Sequence, residues 1–149
     1  MKRTLTALLA FAVLSGSALA AESPAEKQNI QNVVNFYNKG LNEKNFDAAR
    51  PYLGNDYKQH NPGAQDGIEG FRHFVAFLQQ KYPHSHSEIV RTFADGDYVI
   101  LHVKTTGREA GETKAIVDIF RLDPQHKIVE HWDVTQVVPD KTVSGNSMF

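Results

Sequence analysis

The chain has 149 residues, a formal net charge of −1 and no cysteine. That length allows one domain with a sizeable core, and the lack of cysteine excludes disulfides, thiol catalysis and a lipid-modified cysteine. No basic stripe breaks the mixed charge pattern, which argues against nucleic acid and anionic membranes as partners.

Residues 1–20 read as a secretory signal peptide. Lys2 and Arg3 form a positive start, Leu5 to Leu14 is mostly apolar, and Ala18-Leu19-Ala20 is a small-residue cleavage signal. The apolar run is too short to span a bilayer. Cleavage after Ala20 and a periplasmic or secreted location are therefore expected, with residues 21–149 as a single domain.

Ser23 with Glu26 forms a capping box, and Pro24 suits the first helical position. Ile30, Val33, Val34, Tyr37 and Leu41 then recur at helical spacing, which predicts a helix ending near Asn42. A short second helix is predicted over Asn45 to Leu53. Asp66 and Glu69 open a third, whose apolar stripe is Ile68, Phe71, Phe74, Val75 and Leu78. The pattern then turns to strands: Glu88–Phe93, Tyr98–Thr106, 112–122 and 127–138, with Asp95-Gly96 as a hairpin signal. Helices first and strands second predict an α+β domain with an antiparallel sheet.

The stretch VDIFRLDPQHKIVEHWD, residues 117–133, puts Asp118, His131 and Asp133 where alternation predicts a buried face. With DPQH as a four-residue loop, Asp118 lies opposite His131 and Ile116 opposite Asp133. With 107–111 as the preceding loop, His102 lies beside Ile116 and Ile100 beside Asp118. One face then carries Tyr98, Ile100, His102, Ile116, Asp118, Phe120, Val129, His131 and Asp133, a polar cluster inside an apolar rim. This register depends on both loop lengths, since a slip of one residue reverses a strand's faces. The other face would hold Val99, Leu101, Val103, Val117, Ile119, Ile128, Trp132 and Val134. It is too apolar to face water. A homodimer through this sheet face is expected, the alternative cover being the C-terminal tail or a helix.

The motifs QHNP (59–62), GDYVILH (96–102), VDIFR (117–121), KIVEHWDV (127–134) and a GNSMF ending resemble the SnoaL-like polyketide cyclase family, within the superfamily sharing the nuclear transport factor 2 fold. The resemblance implies N-terminal helices packed in a strongly curved antiparallel sheet, a cone-shaped α+β barrel with a pocket at its mouth. It also implies intramolecular aldol chemistry without metal or organic cofactor. The family's acid/base aspartate maps onto Asp118, and its histidines onto His102 and His60.

Three functions fit these residues. In the first, a cofactor-free aldol-type cyclase, isomerase or related lyase acts on an enolisable carbonyl compound. Asp118 takes the proton, since burial disfavours its charged form. His102 or His131 steadies the oxyanion, Asp133 orients His131, and His60 returns a proton at the mouth. Phe120, Ile100, Tyr98 and Ile116 wall the substrate. In the second, the cone only binds a small apolar or carbonyl-containing molecule. The third, a metal held by His60, His102, His131 and the carboxylates, ranks lowest, as no pair has a recognised ligand spacing. The plainer reading of Asp118 and His131 is a buried ion pair that sets strand register. His60-Asn61-Pro62 is equally readable as a turn, and Tyr57 and Gln59 either line the pocket or simply flank it.

Overall fold

The computed structural model describes residues 21–149, so the expected signal peptide lies outside the described residues. Ser23 caps α1 (Pro24–Tyr37) with both halves of the capping box formed. The helix runs on as a π-helical turn over Asn38–Asn42. A Cβ on Gly40 would sit 2.7 Å from the Phe71 ring. The missing side chain is therefore what lets the widened turn approach the third helix. Asn45 caps the short α2 (Phe46–Ala49), which tightens to a 3-10 turn at Arg50–Tyr52.

β1 (Leu53–Gln59) comes next and was not expected as a strand. Its sequence LGNDYKQ is polar and weakly alternating, as suits an edge strand. α3 (Gly67–Lys81) buries Phe71, Val75 and Leu78. Asp66 stands at its N-cap position, but the carboxylate Oδ1 accepts from the backbone N–H of Gln59 at 2.8 Å. It thereby ties the start of α3 to the end of β1.

Four long strands follow: β2 (His86–Asp95), β3 (Tyr98–Thr106), β4 (Thr113–Leu122) and β5 (Ile128–Val137). The sheet order is β1-β5-β4-β3-β2. The four long strands pair antiparallel, but β1 pairs parallel to β5, so the sheet is mixed and not wholly antiparallel. The three helices pack on this sheet. The core lies between α1 and the strands, with Val33, Phe36 and Tyr37 against Val99, Leu101, Phe120, Leu122 and Ile128. Each such fully buried side chain contributes about 1.5–3 kcal/mol.

Two registers differ from expectation. The β3–β4 connection is one residue longer than 107–111, because Thr106 pairs with Thr113. That single residue reverses β3. Val99, Leu101 and Val103 enter the core fully buried, while Tyr98, Ile100 and His102 take the outer face. Leu101, not Ile100, lies opposite Asp118, and Val103, not His102, lies opposite Ile116. The β4–β5 hairpin changes twice. Asp123 N–H donates to the Lys127 carbonyl, and His126 takes φ 60°, so the loop holds three residues rather than four. The register then shifts again between Arg121 and Leu122, where Val129 is inserted as a bulge. The two changes together restore the faces. Asp118, His131 and Asp133 share the inner face, but Asp118 pairs with Asp133 and Phe120 with His131. Ile128, expected outside, is fully buried in the core.

Candidate functional site

A cavity of about 90 Å³ opens between the helices and the inner sheet face. Ile116, Phe120, Phe36 and Phe71 give it apolar walls, and Asp118, His131 and Asp133 line it together with Tyr37, Tyr57, Gln59, Asn61 and Arg108. Such a space is smaller than the roughly 150 Å³ that accepts benzene and well below the roughly 300–1,000 Å³ of drug-sized sites. A larger ligand must protrude through the mouth.

The backbone explains how these groups meet. The parallel β1–β5 pairing sets Gln59 beside His131. Antiparallel pairing sets Asp118 opposite Asp133. Tyr37 reaches down from the last turn of α1. His131 Nδ1 lies 2.9 Å from Gln59 Oε1, and His131 Nε2 lies 3.1 Å from Asp118 Oδ1. Tyr37 Oη donates to Asp118 Oδ2 at 3.2 Å. Asn61 Nδ2 donates to both oxygens of Asp133 at 2.7 Å. Gln59 Nε2 donates to Tyr57 Oη at 3.1 Å, while Gln59 Oε1 also accepts from Asn61 N–H.

This network places protons. An amide oxygen only accepts, so Nδ1 of His131 carries a hydrogen. The contact between Nε2 and Asp118 then needs one proton shared by the pair, either on the imidazole or on the carboxyl. Asp118 and His131 are both buried, at 4% and 8% exposure. Removing one partner of such a pair strands a buried charge and costs about 3–5 kcal/mol. Ligand atoms of Asp118, His131 and Asp133 all lie within 4.8 Å of one another. Two bare carboxylates that close repel by about 3 kcal/mol or more at an effective dielectric near 20. The imidazole beside Asp118 and the Asn61 amide on Asp133 oppose that repulsion.

Burial pushes the Tyr37 hydroxyl well above the ordinary tyrosine range, the Asp118 charge adds to the rise, and the Arg108 charge opposes it. Burial likewise raises Tyr57, with Asp118 and Asp133 adding to it. Both phenols therefore stay protonated donors. Tyr37 spends its proton on Asp118. Tyr57 accepts from Gln59, and its own proton has no acceptor among the described residues.

Of the expected site residues, Asp118, His131, Asp133, Phe120 and Ile116 line the cavity. His102, Tyr98 and Ile100 do not, because the longer β3–β4 loop turns them outward. His102 Nδ1 instead meets Arg91 Nη1 at 2.8 Å, and its ring stacks on Phe149 at 5.4 Å. His60 also faces away. Its backbone N–H donates to the His131 carbonyl, Nε2 meets Glu130 Oε1 at 2.9 Å, and the ring stacks on Trp132 at 4.8 Å. Alternation along β1 sends Gln59 inward and His60 outward. Tyr37, Asn61 and Arg108 were not expected in the site, while Tyr57 and Gln59, left open between lining the pocket and flanking it, do line it. Gln59 and Asn61 flank His60 in QHNP, so the motif was legible, but His60 was taken for its inward residue.

Asp118, His131 and Asp133 also form a possible ligand set for a cation. Both ring nitrogens of His131 are already engaged. An ion could use Nε2 only by displacing the Asp118 contact.

Among solved structures, a protein described as a SnoaL-like polyketide cyclase from Jannaschia sp. CCS1 superposes with a TM-score of 0.64 at 22% identity, covering 78% of this chain and 91% of that one. An LEH-like epoxide hydrolase of M. tuberculosis gives 0.63 at 22%, with 76% and 86% covered. TsrD from Streptomyces laurentii gives 0.63 at 19%, with 72% and 88% covered. At these identities the likeness is one of fold, α+β and consistent with the cone shape. No curated protein matches the chain significantly. The family model for the SnoaL-like domain, however, matches residues 33–131, from α1 to the histidine beside Asp118, and so the chain belongs to the SnoaL-like domain family.

Proposed function

We propose that this protein is a cofactor-free acid/base enzyme for a small enolisable carbonyl compound. The observation that carries this is the proton-sharing chain Gln59–His131–Asp118–Tyr37 on the floor of the cavity. Asp118 in its ionised form takes a proton from the carbon beside the carbonyl. His131, held by Gln59, carries the shared proton and stabilises the carboxylate before transfer. The free hydrogen of Tyr57 donates to the developing oxyanion in the role expected of His102 or His131. Asp133, fixed by Asn61, is the second carboxylate facing the substrate. His60 and His102 have no part in this scheme. The described relatives named as a cyclase and a hydrolase support small-molecule chemistry without deciding the reaction.

We further propose that a second copy covers the outer sheet face. Phe93, Ile100, Ile119 and Trp132 are successive cross-strand partners there and form one apolar row.

The test is deuterium exchange. Incubating the protein with simple ketones and oxo acids in D2O, and following loss of the α-proton by NMR, reads proton abstraction directly. Asp118→Asn keeps the shape of the side chain and should slow exchange by about 100-fold or more. Retained exchange would remove Asp118 from the mechanism. Binding without any exchange in the wild type would make this a binding module.

A further inference from the structure

The cavity holds one cation that the acid/base scheme does not use. Arg108 lines it, yet its Nε is buried without a hydrogen-bond partner. No ion pair joins the guanidinium to a carboxylate among the described residues, although Asp118 and Asp133 line the same space. A buried donor left unmade costs about 1–3 kcal/mol. The arrangement is also built. Gly107, at φ +74°, packs so closely that a Cβ would lie 3.1 Å from the His84 carbonyl oxygen and from Ser85 Cα. One residue beyond Arg108, Glu109 accepts a hydrogen bond from Tyr82 Oη. Between these anchors the guanidinium sits 5.8 Å from the Phe74 ring centroid.

Resting on the reading of the site given above, we infer that Arg108 is a specificity-determining residue that selects substrates bearing a carboxylate, so that the substrate class is a short oxo acid. A guanidinium presents parallel donors that match a carboxylate. The charge balance favours a monoanion. One unpaired cation can neutralise a carboxylate, whereas a phosphate dianion would bring surplus charge into a cavity already holding two carboxylates. The cavity of about 90 Å³ also requires carboxylate and carbonyl to be close together if both are held inside it. With the carboxylate on Arg108, the carbonyl end is left to the other polar groups of the lining, Tyr57 and Asp118 among them.

The experiment compares pyruvate, acetoacetate and levulinate with their amides. Binding is followed by NMR on the Arg108 Nε–H signal, assigned by its loss in Arg108→Met, and by calorimetry. The carboxylates should move that signal and bind at least about tenfold more tightly than the amides, as expected for charge-assisted hydrogen bonds. Arg108→Met should bring the ratio close to one. Arg108→Lys, which keeps the charge and loses the fork, should fall between. Equal ratios in wild type and Arg108→Met, or no movement of the Nε–H signal with any carboxylate, would overturn the inference. Asp118→Asn separates the two readings. Carboxylate preference kept there while exchange is lost supports both. Exchange kept in Asp118→Asn with preference intact removes the acid/base reading alone, and exchange in the wild type without preference removes Arg108 alone.

Discussion

At the scale of single residues, the site is governed by where protons can stand. Gln59 fixes the hydrogen on one nitrogen of His131, and Asp118 must then share the other. Tyr37 and Tyr57 are donors because burial keeps them from ionising. That has a consequence for stability. In the unfolded chain a tyrosine ionises near pH 10. In the folded protein these two stay protonated to higher pH, so the unfolded state binds fewer protons above that point. Stability must then fall as pH rises, by about 1.4 kcal/mol per pH unit for each tyrosine. Urea titrations between pH 9 and 11 should show this slope, reduced in Tyr57→Phe. The same slope in both proteins would contradict it. At the acid end the sign reverses. Hydrogen bonds from His60 and Arg121 hold the Glu130 carboxyl below its ordinary range, so its contribution is present above about pH 4.5 and lost as pH falls through the lower, folded value.

At the scale of elements, the decisive feature is the bulge at Val129. The three-residue loop alone would bring Trp132 opposite Asp118 and turn His131 to the other face. The inserted residue corrects this, and β1 accommodates it. A Cβ on Gly54 would lie 2.6 Å from Val129 Cγ1. The edge strand thus leaves room for the bulged side chain while it carries Gln59 to His131. Gly54→Ala should cost about 1–3 kcal/mol through overpacking. Adding Val129→Ala should recover much of that loss, because it removes the atom in conflict. Simple additivity of the two changes in a double-mutant cycle would show that they do not meet.

At the scale of the whole molecule, the outer sheet face is the exposed apolar surface of the fold. Val134 is 71% exposed, and Phe93, at the end of the row that includes Trp132, is 54% exposed. The C-terminal end covers only part of it, with Phe149 over His102 and 5.7 Å from Lys104 Nζ. An apolar surface of this kind favours a partner. Light scattering should report a dimer, and Phe93→Glu should give a monomer. A monomeric wild type would end the proposal of a second copy on this face.

The sequence by itself determined the helices followed by four long strands, the capped start of α1, and that Asp118, His131 and Asp133 stand where alternation gives a buried face; their shared face was secured by the shorter loop and the Val129 bulge, which cancel. These depend on local periodicity and turn chemistry, which a single chain displays openly. Only the tertiary structure decided the rest. β1 is a polar edge strand whose identity comes from pairing with β5, far along the chain. His102, Tyr98 and Ile100 were turned outward by one extra loop residue, because a side-chain period of two converts any odd error in loop length into the opposite face. Arg108 entered the cavity through a glycine packed against His84 and Ser85, a contact that no sequence period encodes.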